Sequence, residues 1–114
     1  MQVLPDRPLY AHTAAHLFDA WFVPAHDGDR TVVWLAGEHD FSQRDALAAL
    51  VDQAISCDDS DVEVDLSGLR FMSAATVHVI VDARDELRLR SRSLTITSPT
   101  PIASRLLELC GVAA

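Results

Sequence analysis

Hydrophobic residues along this chain switch repeatedly between a strand-like and a helix-like period. Residues 18–23 are aromatic and β-branched, 24–29 bring Pro, Gly and acids, and 31–36 resume an apolar, β-branched run. Together they predict a strand pair joined by a loop too long for the tightest hairpin turn. Residues 37–40, Gly-Glu-His-Asp, are expected to interrupt the second strand. Ser42, with Asp45 three residues on, is a weaker form of the capping box and predicts a helix opening there. Leu47, Leu50, Val51, Ala54 and Ile55 then recur at helical spacing as one apolar stripe.

Residues 62–66 alternate as a strand, and Ser67-Gly68 is expected to turn it. The segment after that carries conflicting signals. Residues 76–81 are β-branched, which favours a strand. Yet Val77, Ile80, Val81 and Leu87 also share a helical face, and 82–90 are good helix formers. Ser73 suits an N-cap and no turn signal breaks 74–90, so a helix is predicted. Residues 93–97 form a short strand. Thr100 as cap and Pro101 at the first helical position open a last helix, with Ile102, Ala103, Leu106, Leu107 and Cys110 on one face and Gly111 ending it. The order β-β-α-β-α-β-α predicts an α/β domain with a mixed sheet and helices packed against it.

At 114 residues the chain is one domain. Residues 1–17, with Pro5 and Pro8 and weak periodicity, are expected to be an N-terminal extension with a short helix near 11–17; the domain proper is then 18–114. Seventeen acids against nine bases give a formal charge of −8, a field that repels phosphate backbones and argues against nucleic acid as a partner. All the bases are arginine, which together with the many alanines suggests a GC-rich bacterial codon bias. Arg84, Arg88, Arg90 and Arg92 are interleaved with Asp82, Asp85 and Glu86, the pattern of a solvated helix face. Cys57 and Cys110 form no CxxC pair and are expected to be idle thiols of a reducing compartment. No apolar run is long enough for a membrane span, and the N-terminus lacks the pattern of a secretory signal, so the cytoplasm is the expected location.

Enzyme chemistry finds little support. Four glycines are too scattered for a phosphate-cradling loop, and neither G-x-S-x-G nor H-E-x-x-H occurs. His12 and His16 have the spacing of a two-histidine metal site without a third ligand nearby. His39 beside Asp40 suggests an acid–base pair, but a histidine at a strand end is the simpler reading. No catalytic group, cofactor or metal is expected. The patch Ser73-Ala74-Ala75-Thr76 is of more interest, because a helix N-terminus favours negative charge and a phosphorylated hydroxyl there would change the surface sharply. From spacing alone the plainer reading is favoured: Ser73 caps the helix, the alanines allow close packing, and Thr76 is an ordinary first-turn residue.

Three stretches carry a family resemblance. Residues 35–40, Leu-Ala-Gly-Glu-His-Asp, resemble the Gly-Glu-x-Asp turn of STAS domains. Residues 62–76 resemble their signature of an apolar strand, Asp-Leu-Ser, a hydrophobic step and a helix-opening loop. Residues 106–112 are similar to the closing Leu-x-x-x-Gly-hydrophobic helix end. The resemblance covers about 18–112. It implies the STAS fold and the partner-switching role of anti-sigma factor antagonists: the unmodified protein binds an anti-sigma factor, often also a serine kinase, and phosphorylation at the start of the second helix breaks the complex.

The motif is degenerate here. Where such antagonists have Asp-Ser-Ser-Gly, this chain has Ser73, Ala74, Ala75 and Thr76, so the usual phosphoacceptor is alanine, and His78 adds bulk on the same helix. Three readings stand: an antagonist locked in its binding form, a switch moved to Ser73 or Thr76, or a docking module outside sigma-factor control. The expected partner surface is Ser73, Ala74, Ala75, Thr76, His78 and Asp40. A rival reading is a scaffold or sensor that binds a small anion or nucleotide at the same helix start. The oligomeric state is open, with a homodimer as one option.

Overall fold

In a computed structural model, residues 20–25 and 29–112 are described. The expected short helix near 11–17 and the His12/His16 pair lie outside them. Strands β1 (Ala20–Val23) and β2 (Thr31–His39) pair antiparallel, while β3 (Val62–Met72) and β4 (Leu94–Thr97) add in parallel, giving a sheet ordered β1-β2-β3-β4. Parallel neighbours require crossover connections. Here they are the helices α1 (Arg44–Ser56) and α2 (Ala74–Leu89), and α3 (Pro101–Leu109) closes the domain. The predicted α/β order is the observed one.

Period-2 alternation splits the sheet's side chains between two faces. Ala20, Phe22, Val33, Leu35, Val64 and Leu66 enter the main core, joined by Leu47, Leu50, Val77, Ile80, Ala103 and Leu107 from the three helices. On the other face Trp21 and Trp34, cross-strand partners, stack with ring centroids 6.2 Å apart and join Ala36 in a smaller cluster. The expected α1 stripe is buried in full, and α2 buries Val77, Ile80 and Leu87 with Val81 at its edge. No helix of the described residues is long and apolar enough to cross a membrane.

Three sequence expectations are corrected. First, Gly37-Glu38-His39 continues β2 instead of interrupting it; Gly37 takes φ 72°, a conformation glycine adopts at no steric cost. Second, Ser67-Gly68 does not turn β3. Between Trp34 and Ala36 the strand β2 advances two residues while β3 runs from Asp65 to Gly68, and a further extra residue follows between Leu69 and Phe71. The Ser67 N–H is satisfied by Asp65 Oδ1 at 2.8 Å, so the residues that resemble a turn are absorbed as bulges within the pairing. Third, the cap before α1 is Asp40, not Ser42. Its carboxylate accepts from the Ser42 N–H at 3.0 Å, and Gln43 Oε1 accepts from the Asp40 N–H at 3.0 Å, a capping box spanning a 3-10 turn over Phe41–Gln43.

The last helix keeps its predicted Thr100 cap and Pro101 start, and Gly111 at φ 75° closes a double hydrogen-bonded C-cap with Val112 N–H on the Leu107 carbonyl. Its buried face is narrower than expected: Ala103 and Leu107 are buried, Leu106 and Cys110 half-buried, and Ile102 is 58% exposed. Of the arginine cluster, Arg88 and Arg90 are exposed, paired with Asp85 and Glu86, whereas Arg84 and Arg92 are half-buried.

The C-cap of α2 has the same geometry as that of α3, with Arg92 N–H on the Leu87 carbonyl and Ser91 N–H on Arg88, but the left-handed position is held by Ser91 at φ 58°. A side chain there costs energy that glycine avoids. Ser91→Gly is expected to raise stability by about 1 kcal/mol, a few degrees in Tm for a domain of this size. Thermal unfolding of the two proteins at equal concentration checks it; a lower Tm in the variant contradicts the cap assignment.

At the end of the sheet where β2 and β3 begin, the buried Thr31 hydroxyl lies 2.9 Å from Ser60 Oγ, and Asp58 Oδ1 accepts from the Ser60 N–H at 2.9 Å and from its hydroxyl. Arg92 donates to the Ser60 carbonyl at 2.6 Å and 2.8 Å. The Ser60 hydroxyl bond, more than any other cause, holds the Asp58 carboxyl below the usual carboxylate range. A carboxyl whose folded value is depressed stabilises the fold above its unfolded pKa, near ~3.9, and loses that stabilisation as pH falls through the folded value. Asp58→Asn is therefore expected to flatten the acid limb of urea-unfolding stability below about pH 4. An unchanged acid limb would remove Asp58 from this role.

Candidate functional site

The C-terminal ends of β2 and β3 bring the sequence-predicted residues together. His39 pairs with Met72, and the carbonyl of His39 accepts from the Ser73 N–H at 2.9 Å and from the Thr76 hydroxyl at 3.2 Å. Ser73 is the N-cap of α2: its hydroxyl accepts from the Thr76 N–H at 3.4 Å, and its carbonyl receives the N–H groups of Thr76 and Val77. The end of one strand and the start of the next helix are thus fastened at a single peptide group. Asp40, one residue beyond His39, caps the 3-10 turn at the same end.

The six expected partner-facing residues divide by accessibility. Ala74 and His78 are exposed, Ser73 and Ala75 half-buried, and Asp40 exposed. Thr76 is only 1% exposed and spends its hydroxyl on the backbone of His39. His39 itself is buried, its Nε2 donating to the Ala36 carbonyl at 3.0 Å, so the simpler reading of that histidine as a strand-end residue fits better than an acid–base pair with solvent-facing Asp40.

Two residues were missed in the sequence. Phe41 is 71% exposed in the turn after Asp40, and Phe71, opposite Glu38 in the sheet, is 47% exposed. Leu89, Leu109 and Ile102 are exposed as well, so what singles out the two rings is their place next to the expected site residues. The signal was available: each phenylalanine is within two residues of an expected site residue. The charged pair nearby, Arg70 with Glu38 at 3.9 Å, is exposed on both sides and contributes little.

The first-turn N–H groups of a helix and its dipole favour negative charge, while bare methyls and phenyl rings favour an apolar partner. Among the described residues no group of three metal-ligating side chains occurs. A larger cavity of about 880 Å³ lies at the opposite ends of the strands. It is lined by Asp29, Asp58, Asp59, Asp61 and Glu63 with Arg30 as the cation among them, an environment that repels anions.

A mixed four-stranded sheet with crossover helices and a capped α2 placed against the end of β2 is the architecture of a STAS domain. The chain belongs to that family: the family model described as "Mlab, STAS domain" matches residues 22–114. Among solved structures it is similar to the anti-sigma factor antagonist SpoIIAA in its unphosphorylated form, with 17% identity over 79% of this chain and 82% of that one and a TM-score of 0.64. The Bacillus cell fate determinant SpoIIAA in its phosphorylated form matches at 20% identity over 82% and 84%, TM-score 0.63. A candidate anti-sigma factor antagonist of Thermotoga maritima, tm1081, matches at 19% identity over 88% and 83%, TM-score 0.65. At such identities the likeness is one of fold. No curated protein matches the chain.

Proposed function

We propose that this chain is a partner-binding regulatory domain of the antagonist type, which docks an anti-sigma factor through the start of α2 and the turn at Asp40. The observation that carries this reading is the surface composition there: exposed Ala74 and half-buried Ala75 at the head of α2, with exposed Phe41 in the turn after Asp40 and exposed Phe71 two residues before Ser73, on a backbone held by the His39 carbonyl. Aromatic side chains are common anchors of protein interfaces, and one that becomes a fully desolvated hot spot is worth about 2 kcal/mol or more.

Alanine at 74 leaves this centre uncharged, so the binding-competent form is the ground state. Of the two remaining hydroxyls, Ser73 is the better acceptor, because Thr76 is sealed beneath the helix and would have to leave its bond to His39. Phosphate on Ser73 would place about two negative charges in the middle of an apolar contact.

The test is capture of interacting proteins from the native organism with the tagged chain, with phosphosite mapping of both partners and with Phe41→Ala/Phe71→Ala as the control. An anti-sigma factor retained by the natural chain and lost by the double variant supports the reading. Equal retention by both, or no anti-sigma factor in either, overturns it.

A further inference from the structure

The docking surface at Ser73 does not end with the first turn of α2. One turn on, Val79 and Ala83 of α2 face Ala48 and Val51 of α1 across a groove of about 220 Å³. Val51, Val79 and Ala83 are nearly buried, at 4%, 8% and 6% exposure, so they form a floor instead of a projecting surface. Ala48 on one wall and Ala83 on the other are the small side chains of the groove.

The rim is acidic. Asp45 and Asp52 of α1 oppose Asp82 and Glu86 of α2, with Arg44 as the cation among the lining residues. Asp52 and Asp82 have no ion-pair partner among the described residues, whereas Asp45 sits near Arg44 at 3.9 Å and Glu86 near Arg90 at 3.6 Å. Two carboxylates left unpaired beside an apolar floor select for an occupant that brings both apolar side chains and positive charge. A net charge of −8 per chain opposes a second copy as that occupant.

We infer that the α1–α2 groove receives a basic amphipathic helix of the protein partner, its apolar face on Val51, Val79 and Ala83 and its arginine or lysine side chains on Asp52 and Asp82. This rests on the docking reading above in treating the groove as the continuation of the surface at Ser73. The apolar floor supplies residence and the acidic rim supplies steering and register. Binding through it is therefore salt-sensitive.

The experiment uses the isotope-labelled full chain and two synthetic helical peptides with leucine at i, i+4 and i+7, one flanked by arginine and one by glutamate. The arginine peptide is expected to shift the amide signals of Ala48, Val51, Val79 and Ala83, and Asp52→Asn/Asp82→Asn is expected to weaken it by roughly tenfold. Raising salt from about 50 to about 500 mM should weaken it similarly in the natural chain and distinctly less in the variant, which keeps only Asp45 and Glu86 on the rim.

Four outcomes overturn the inference: no binding, equal binding of the variant, shifts collected in the acidic 58–61 loop, or equal binding of the glutamate peptide. Concentration-dependent shifts of the same amides without peptide would assign the groove to a second copy and overturn it too. Neither peptide requires the anti-sigma factor, so failure here is distinguishable from failure of the docking surface at Ala74.

Discussion

Ala74→Glu is expected to lower affinity for the captured partner by about a hundredfold or more, close to 2.7 kcal/mol, with the fold intact. Ala74 is exposed and occupies the first position of α2, so the longer side chain meets solvent in the free protein. A carboxylate at that position also faces the positive end of the helix dipole, which stabilises the free domain by about 0.3–1 kcal/mol. In the complex the same charge must be desolvated against an apolar partner surface, and nothing repays that cost. Ala74→Gln separates charge from bulk: it should keep affinity within about tenfold of the natural chain. Titration calorimetry with the purified partner measures both, and thermal unfolding confirms the fold. Unchanged affinity for the glutamate variant would remove the start of α2 from the interface.

The largest effect on stability is expected at Leu66. It lies on β3, between β2 and β4, is 0% exposed and belongs to the main core. Leu66→Ala removes buried methyl groups and leaves a cavity in the main core, where Leu66 is packed among fully buried side chains. The expected cost is about 2–5 kcal/mol, a large part of the ~5–15 kcal/mol that holds such a domain together. Urea unfolding at neutral pH should show the midpoint falling with little change in slope. A loss below about 1 kcal/mol would mean that the core around β3 is looser than its burial indicates.

Legibility in the sequence followed the range of the interactions. Caps and stripes are local, so Ser73, Thr100, Gly111 and the five-residue stripe of α1 were readable from spacing. The ambiguous segment 74–90 resolved as a helix because the Ser73 cap and the apolar face at Val77, Ile80 and Leu87 outweighed β-branched propensity. Strand ends were misread because Gly37 and Ser67-Gly68 carry turn composition, whereas whether a turn forms depends on what the neighbouring strand does. There β2 and β3 lengthen together and take up the extra residues of β3 as bulges. Asp40 was read as part of an interruption because a 3-10 turn precedes α1, shifting the cap two residues upstream of Ser42.

The site was half legible. The position of the α2 start follows from its cap and from the family pattern, but the exposure of Phe41 and Phe71 depends on how the last residues of two strands leave the sheet. Likewise the burial of Thr76 depends on the His39 carbonyl, which is distant in sequence. The α1–α2 groove is wholly tertiary: its walls come from two stretches whose individual patterns resemble any amphipathic helix.

One carbonyl, that of His39, takes a hydrogen bond from the backbone of Ser73 and another from the side chain of Thr76. The tip of β2 and the head of α2 therefore cannot shift independently, and the surface they share exists before any partner arrives. Recognition by such a surface has little ordering entropy to overcome. Its association rate should then be set by diffusional encounter and electrostatic steering, and differences among partners should show in how slowly they leave.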